Sequence, residues 1–294
     1  MNKVRNGMQN AMIFDIQHGS LVDGPGWRTT VFFKGCGLRC LWCHNPEGIS
    51  PEPQLLFYRE RCAKCGLCRE VCPRESPDEP CRLCGACAYY CPKEARKLCG
   101  KQYTVEEVLS EILADRAFYE NAGGGATFSG GECMLQIDFL EEVLRRCREN
   151  GIHTAVDTAG AVPWERFVRV LPCTDLFLYD MKCFAEEKHI AGTGRSNRGI
   201  LDNLARLAKV CADRILVRVP IVPGFNTDEA KLRAMAEFLR AHGLAKVELL
   251  PYHGMGKAKA EALGVPFTPF ETPTKEDMER YRAIFADGVR SHTQ

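Results

Sequence analysis

The sequence predicts an α/β fold, a partial (β/α)6 barrel of the TIM type with one inserted segment. From residue 101 to the end of the chain, short apolar runs alternate with amphipathic helical patterns, which is typical of a parallel sheet covered by helices. Residues 51–101 interrupt this alternation with a stretch rich in proline and cysteine. We therefore divide the chain into a barrel, residues 1–51 and 102–294, and an insert, residues 52–101.

Six apolar runs predict the parallel strands, at residues 29–34, 126–128, 153–157, 176–180, 215–222 and 246–250. Helical periodicity predicts helices at residues 103–121, 135–150, 164–171, 197–212, 228–242 and 275–290. Thr104 is the expected N-cap of the first helix, with Glu107 three residues on. The loosely alternating residues 11–17 predict a short edge strand. Because sites in such barrels lie at the carboxyl ends of the strands, we expect the functional residues there.

Composition excludes several classes of protein. A formal net charge of +1 on 294 residues gives no field that would favour nucleic acid or an anionic membrane as the main partner. The sequence has no run of 18 apolar residues, and its polar first ten residues lack the apolar core of a secretion signal. We therefore expect a protein of the cytoplasm, where thiols stay reduced.

Eleven of the 17 cysteines fall into three short clusters, which in a reducing compartment indicates metal rather than disulfides. The first cluster follows the strand at 29–34 with the spacing C-x3-C-x2-C and consists of Cys36, Cys40 and Cys43. An iron-sulfur cube needs four ligands, so three thiolates would leave one iron open to another ligand and to oxygen, which implies an anaerobic setting. A zinc site or a buried thiol cluster is the alternative, although structural zinc prefers four closed ligands.

The other eight cysteines form two copies of C-x2-C-x2-C-x3-C-P, related by a constant shift of nineteen residues. This spacing is typical of bacterial ferredoxins, in which the last cysteine of one copy ligates the cluster of the other copy. By this rule one [4Fe-4S] cluster binds Cys62, Cys65, Cys68 and Cys91, and the other binds Cys72, Cys81, Cys84 and Cys87. Only eight residues separate Cys72 from Cys81, a short link that leaves the crossed pairing open. Zinc is again the alternative.

The first cysteine cluster and its surroundings resemble those of a known family. C-x3-C-x2-C after a first strand is similar to the signature of the radical S-adenosylmethionine (radical SAM) enzymes. The DGPGWRT segment at 23–29 and the WCHNPE segment at 42–47 resemble the glycyl-radical-enzyme activating enzymes, and the resemblance covers nearly the whole chain. It implies the partial barrel and an oxidoreductase that cleaves SAM reductively to methionine and a 5'-deoxyadenosyl radical. That radical would take a hydrogen atom from a backbone glycine of a partner enzyme.

The resemblance also implies which residues bind SAM. The SGGE segment at 129–132 resembles the element that binds the SAM amino group, and Cys133 stands where relatives commonly have proline. Other positions match residues that surround the methionyl carboxylate and the ribose. The complete set is Trp42, His44, Gly130, Gly131, Glu132, Asp157, Asp180, Lys182, Arg218 and His253. Taken singly, each could be a solvated charge or a structural residue, but their places at successive strand ends favour binding.

Cofactors and partners are expected from the same resemblance. The cofactors are three [4Fe-4S] clusters, SAM and a monovalent cation of the kind that some members hold in this site. Asp23, His44 and Asn45 would meet the glycine loop of a partner glycyl radical enzyme, although Asp23 could equally cap a turn. A low-potential flavodoxin or ferredoxin is the expected electron donor, with the insert as an electron relay or docking module. The insert is typical of the subgroup that serves glycyl radical lyases and dehydratases.

Two other functions stay open. A polyferredoxin-type electron carrier would need a fourth ligand for the first cluster, for which Cys99 or Cys133 could be proposed. A radical SAM enzyme that acts directly on a small molecule would need no partner protein, but the DGPGWRT and WCHNPE segments argue against it. Release of 5'-deoxyadenosine after SAM is added to the reduced protein would separate the enzyme from the carrier.

Overall fold

The computed structural model describes residues 10–76 and 78–286 and the backbone of residues 290–291. Its strands are β1 (Asn10–Ser20), β2 (Arg28–Phe33), β3 (Gln54–Phe57), β4 (Arg96–Cys99), β5 (Lys101–Thr104), β6 (Gly125–Gly130), β7 (Thr154–Thr158), β8 (Leu176–Asp180), β9 (Ile215–Ile221), β10 (Lys246–Pro251) and β11 (Arg290–Ser291). Its α-helices are α1 (Leu67–Glu70), α2 (Ala86–Tyr89), α3 (Val105–Ala114), α4 (Arg116–Ala122), α5 (Ile137–Glu149), α6 (Trp164–Val170), α7 (Glu186–Thr193), α8 (Arg198–Cys211), α9 (Glu229–Ala241), α10 (Gly256–Leu263) and α11 (Lys275–Ala286).

Nine of these strands form one sheet in the order β11-β10-β9-β8-β7-β6-β2-β1-β5. From β2 to β11 all neighbours run parallel, and β1 lies antiparallel between β2 and β5. The predicted α/β class with a mainly parallel sheet is confirmed. The prediction of an edge strand at 11–17 was wrong in its position, because β5 pairs with the outer side of β1. Among the described helices, none has the length and apolar character needed to span a membrane.

The first predicted helix is divided into α3 and α4, so the prediction of one helix over 103–121 was wrong. Its start is confirmed, because Thr104 and Glu107 form a reciprocal capping box. Asp115 separates the two helices, and its carboxylate accepts a hydrogen bond from Thr29 Oγ1 at 2.5 Å. The sequence pattern does not predict α7 or α10, whose few apolar residues lack a clear helical period. The predicted helix at 275–290 is present as α11 up to Ala286, residues 287–289 lie outside the described residues, and Arg290 belongs to β11 and not to the helix.

Alternation along the strands gives the main sheet two different faces. One face belongs to the large apolar core beneath the helices, with Phe128, Val156, Phe177 and Val217. Each of these side chains stabilises the fold by roughly 1.5–3 kcal/mol through burial. The other face carries polar residues at the ends of the same strands. Ser129, Asp157 and Arg218 directly follow three of these core residues, and Asp180 is the last residue of β8. The same periodicity therefore builds the core and collects polar groups at the carboxyl ends of the strands.

The cysteine-rich insert lies between β3 and β4, which pair antiparallel and form a separate ribbon. Leu56 and Cys99 of this ribbon pack against Ala262 of α10 and attach the insert to the main body. Each copy of the cysteine repeat contains one short helix, α1 or α2. In residues 58–76 and 78–94 no side chain is buried. Hydrophobic burial therefore contributes little to the stability of this part of the chain.

Candidate functional site

The cysteine loop, residues 34–45, follows β2 and is anchored by main-chain hydrogen bonds on both sides. The N–H of Cys36 donates to the carbonyl of Ile49 at 3.0 Å, and the N–H of Arg39 donates to the carbonyl of Thr193 at 2.8 Å. The second bond connects the loop to the end of α7. These main-chain bonds help to position the loop and do not involve the cysteine side chains.

The three thiols of this loop lie close together and share one neighbouring cation. Burial raises the pKa of all three thiols. The pKa of Cys40 rises to about 11 and that of Cys43 to about 12. The ammonium of Lys182 opposes this shift at all three thiols. Among the described residues no three His, Cys, Asp or Glu side chains are close enough to hold a single metal ion, whereas an iron-sulfur cube takes its thiolates at separate corners. This donor set fits a cluster whose ligands lose their protons on binding.

Charged side chains at the ends of β7, β8 and β9 form one hydrogen-bonded network beside the thiols. Arg218 Nη2 donates to Asp157 Oδ1 at 2.5 Å, and Arg218 Nε donates to Asp180 Oδ1 at 3.1 Å. Lys182 Nζ donates to Asp180 Oδ2 at 3.0 Å. Ser129 Oγ, at the end of β6, donates to Asp157 Oδ2 at 2.6 Å. The network pairs two carboxylates with two cations and brings together four of the predicted SAM-binding residues.

Each charge in this network depends on its partners because the side chains are largely buried. Burial raises the pKa of Asp157, and Arg218 opposes that shift. At Asp180 the effect of burial is outweighed by Lys182 and Arg218, so its pKa is lowered. Burial would lower the pKa of Lys182, but the charge of Asp180 more than offsets it and raises the pKa well above its usual range. Asp180 and Lys182 are therefore ionised at neutral pH.

Glu132 is buried between the ends of β6 and β7. Its carboxylate accepts hydrogen bonds from Thr158 Oγ1 at 2.9 Å and from the N–H of Ala159 at 3.2 Å. Burial raises the pKa of Glu132 to about 7, although these donors favour its charged form. The side chain therefore connects two strand ends and changes its protonation near neutral pH.

Gly130 packs directly against the end of β2, and Gly131 packs against the start of the cysteine loop. A Cβ at Gly131 would lie 2.2 Å from the carbonyl oxygen of Gly35. Gly130 has a φ of +109°, and a Cβ there would lie 2.3 Å from the nitrogen of Phe33. Only glycine permits this approach, so the two residues hold the loop against the end of β6.

His44 and His253 meet at one side of the cysteine loop, with ring centroids 4.6 Å apart and planes at 84°. The pKa of His44 is lowered to about 4, mainly by burial and to a smaller extent by the nearby charges of Lys259 and His253. Its imidazole is therefore neutral at pH 7. Asp23 is near enough to His44 to oppose this shift. The Asp23 carboxylate also accepts hydrogen bonds from two side-chain hydroxyl groups, Ser20 Oγ at 2.7 Å and Thr30 Oγ1 at 2.9 Å. His44 thus lies near both Asp23 and His253.

Lys259 of α10 connects that helix to the WCHNPE segment through two polar contacts. Its Nζ donates to Asn45 Oδ1 at 2.8 Å and forms an ion pair with Glu47 Oε1 at 2.7 Å. Glu47 is buried, and its second oxygen has no hydrogen-bond partner among the described residues. Asn45 is therefore held by a helix that the sequence pattern does not predict.

The ring of Trp42 belongs to an aromatic cluster beneath the cysteine loop. Its centroid lies 4.6 Å from that of Phe225 and 6.3 Å from that of Phe270. Tyr252 completes the cluster with a buried hydroxyl that lacks a partner among the described residues. The ring of Trp42 thus supports the loop by packing, which leaves its main chain as the part available to a ligand.

In the insert, thiols from both copies of the repeat line one cavity. These thiols belong to Cys72, Cys81, Cys84 and Cys87. Arg74 Nε donates to Cys72 Sγ at 3.3 Å, and this hydrogen bond lowers the pKa of Cys72. Hydrogen bonds from main-chain N–H groups likewise lower the pKa of Cys91, and the bond from Lys93 has the largest effect. The fourth cysteine of each copy is therefore stabilised as a thiolate by local donors.

The two copies of the repeat share an unusual backbone conformation. Lys64 and Leu83, which are equivalent positions, have φ values of +56° and +50°. The equivalent Gly66 and Gly85 have φ values of +86° and +76° and precede α1 and α2. Because a positive φ is uncommon outside glycine, its repetition indicates that both cysteine loops are built in the same way.

Comparison with known proteins identifies the family. The sequence model of the radical SAM superfamily matches residues 30–236 of this chain. The trans-4-hydroxy-L-proline dehydratase activating enzyme of Clostridioides difficile is 43% identical over 94% of this chain and 96% of that protein. The choline trimethylamine-lyase activating enzyme of Oleidesulfovibrio alaskensis is 39% identical over 94% of each chain. This chain belongs to the glycyl-radical-enzyme activating enzymes of the radical SAM superfamily.

Membership of this family shows the type of reaction that the activating enzyme catalyses. It uses a [4Fe-4S] cluster and SAM to generate a radical, and it activates a glycyl radical enzyme. The crystal structure of a radical SAM methyltransferase from Sphaerobacter thermophilus is similar with a TM-score of 0.58 at 16% identity, over 96% of this chain and 76% of that chain. This second similarity shows the shared fold alone.

Several side chains in the site of the activating enzyme have contacts that its motifs did not predict. Ser129 and Thr158 hold the carboxylates of Asp157 and Glu132. Ser129 lies inside the SGGE segment and Thr158 directly follows the predicted strand at 153–157, so their hydroxyl groups were a usable signal. Lys259 had no such signal, because its helix has no clear apolar period.

Proposed function

We propose that the activating enzyme binds its first [4Fe-4S] cluster through Cys36, Cys40 and Cys43 and holds SAM at the strand ends beside it. The observation that carries this assignment is the electrostatic link between the charged network and the three thiols. Lys182 belongs to the charged network and is also the cation that acts on all three thiols. A ligand that spans the open iron and the network would therefore meet both.

The chain's own residues would bind and orient SAM. When bound, the cluster supplies the electron that splits a carbon-sulfur bond of SAM and leaves the 5'-deoxyadenosyl radical. Lys182 and Arg218 would face the methionyl carboxylate, and Asp157 would accept from the ribose. The charged form of Glu132 would accept from the ammonium group, while Gly130, Gly131 and the main chain of Trp42 would hold the loop close to the ligand.

The carboxylates of the same network could bind the expected monovalent cation. Asp180 uses one carboxylate oxygen for Lys182 and the other for Arg218. A monovalent cation at Asp180 would therefore take the place of the Lys182 ammonium, which would turn towards the SAM carboxylate. The carboxylate of Asp157 would be its second ligand.

The fold and the insert support the finer architecture. The sheet, with its consecutive parallel strands and outer helices, would be the wall of a partial barrel, residues 1–51 and 102–294. The insert, residues 52–101, would be a ferredoxin-like domain with two [4Fe-4S] clusters. The shared cavity of Cys72, Cys81, Cys84 and Cys87 supports the crossed pairing, which leaves Cys62, Cys65, Cys68 and Cys91 for the other cluster.

The partner's glycine loop would enter beside Asp23, His44, His253 and Asn45. Leu21 and Val22, which precede Asp23, expose 59% and 76% of their surface and would form an apolar rim for the partner. The relatives' names include a dehydratase, a lyase and a decarboxylase. The partner is therefore a glycyl radical enzyme of this kind that acts on a small molecule.

Electrons would come from a low-potential flavodoxin or ferredoxin and pass through the insert to the first cluster. All 17 cysteines are free, which suits the reducing cytoplasm. The carrier alternative is disfavoured because its extra ligands are engaged elsewhere. Cys133 Sγ donates to the carbonyl of Asp157 at 3.6 Å, and Cys99, at the end of β4, is buried with its Sγ 4.0 Å from the carbonyl of Glu47.

The test is a pair of cysteine variants in reconstituted, anaerobic protein. Cys36→Ala should reduce SAM cleavage to background, because it removes a ligand of the cluster that binds SAM. Cys68→Ala should keep SAM cleavage with a small chemical reductant and slow the delivery of electrons from a protein donor. Release of 5'-deoxyadenosine measures cleavage, and electron spin resonance of the mixed sample measures the glycyl radical on the partner.

Complete loss of cleavage in both variants would contradict the separate roles of the two regions. Full activity of Cys36→Ala would contradict the assignment of the first cluster. Iron content and absorption spectra of each variant are the controls, because they show which cluster is missing.

A further inference from the structure

An open groove of about 870 Å³ lies on the insert, beside the second copy of the cysteine repeat. Its walls include Tyr58, Arg61, Cys84, Tyr89, Arg96 and Lys97. Glu94 is the acidic residue among those that line it. The groove thus carries three cations against one carboxylate and has a proposed cluster ligand, Cys84, in its wall.

Two of the three cations of this groove, Arg61 and Arg96, lie over aromatic rings. The guanidinium of Arg61 lies 4.5 Å from the ring centroid of Tyr58, and that of Arg96 lies 4.6 Å from the ring centroid of Phe57. Tyr89 exposes 84% of its surface. Exposed tyrosine next to ordered arginine is the composition of protein interfaces and not of an ordinary solvated surface.

Cys84 connects this surface to the redox chemistry of the insert. Its side chain is exposed, and the residue also lines the cavity that it shares with Cys72, Cys81 and Cys87. A cluster bound in that cavity would have one corner at the groove. A protein seated in the groove would therefore bring its own redox group close to the cluster.

We propose that this groove, here named the Cys84 groove, is the docking site of an acidic one-electron carrier protein. The proposal rests on the proposed function, because it requires the cluster at Cys84. The carrier is oxidised by one electron and the cluster is reduced by one electron, with no bond made or broken. Acidic side chains of the carrier meet Arg61, Arg96 and Lys97, and such complementarity accelerates a transient encounter. Small polar interfaces of this kind are typical of electron-transfer pairs.

The test compares two charge-reversed double variants of the fully reconstituted enzyme. Arg61→Glu with Lys97→Glu changes the groove and leaves Arg96, which lies closer to the thiols, in place. Lys64→Glu with Arg69→Glu makes the same change of charge in the first repeat, beside the exposed Cys65. The probe is a reduced acidic flavodoxin, and rapid mixing measures the rate constant of cluster reduction at several salt concentrations. Titration calorimetry measures the affinity of the oxidised flavodoxin for the enzyme.

The groove variant should lose about tenfold in the rate constant at low salt, a correspondingly large part of its affinity, and most of its salt dependence. At about 0.1 M salt the first-repeat variant should stay within about twofold of the wild type, because neither Lys64 nor Arg69 lines the groove and salt screens an exposed charge. Dithionite, which needs no docking surface, should reduce all three proteins to the same extent.

A groove variant that keeps the wild-type rate and affinity would overturn the proposal, and so would an equal loss in the first-repeat variant. Loss of partner activation by the groove variant with dithionite as reductant would assign the groove to the glycyl radical enzyme and also overturn it. Absence of reducible clusters in the wild-type insert is a different result, because it contradicts the proposed function itself.

Discussion

The strand-end network and the insert hold their polar groups in opposite ways. At the strand ends Arg218, Asp157 and Asp180 expose 8%, 14% and 19% of their side chains and satisfy one another with hydrogen bonds. In the insert Cys65, Cys81 and Cys84 are exposed, and no described side chain of residues 58–94 is buried. The first region is ordered by its own hydrogen bonds, whereas we expect the second to depend on the metal that its thiols would bind.

Removal of iron should give the largest difference between the two regions. Because iron-thiolate bonds are expected to stabilise residues 58–94, an anaerobic chelator should make this segment sensitive to protease while the main sheet stays folded. Limited proteolysis with mass spectrometry should show cleavage within the insert at least about tenfold faster than in the iron-loaded protein. Equally fast cleavage within α5 or α8 would contradict the comparison.

Breaking the network should destabilise the main body without any change in the insert. Arg218→Met leaves Asp157 and Asp180 without their shared cation, and the loss of one partner from a buried ion pair costs about 3–5 kcal/mol in the free energy of unfolding. Urea denaturation followed by tryptophan fluorescence measures this change. The control is Arg233→Met, which removes an exposed ion pair to Glu229 and should cost less than about 1 kcal/mol. Equal losses would show that burial of the network has no energetic role.

Glu132 should make a smaller, pH-dependent contribution. Its pKa is about 7 in the folded chain and about 4.3 in an unfolded chain, so the folded state holds the proton more tightly. Its contribution to stability is complete below the unfolded pKa and is lost as the pH rises through 7. From pH 5.5 to 8 the wild type should lose about 2 kcal/mol more than Glu132→Gln.

Urea midpoints at several pH values measure that difference, and Glu165→Gln on the exposed side of α6 is the matched control. A pH profile of Glu132→Gln that is parallel to the wild type would show that Glu132 does not change its protonation in this range.

Much of the site could be predicted because each polar residue follows an apolar strand. Asp157, Asp180 and Arg218 were all located in this way, yet their union in one network depends on strand register, which places Asp180 opposite Arg218. Lys259 could not be found, since α10 has no apolar period and its contact with Asn45 spans 214 residues. The packing role of Gly130 and Gly131 was equally hidden, because it depends on the approach of the cysteine loop.

The sequence by itself determined the α/β class, the three cysteine clusters and the resemblance to the activating enzymes. These features depend on spacing within short segments, which local backbone geometry reproduces wherever the segment lies. Only the tertiary structure decided that Lys182 stands between the network and the thiols, that thiols of both repeats line one cavity, and that a basic groove opens at Cys84. Such contacts join segments that are distant in sequence, so they are set by packing and by the burial of charge.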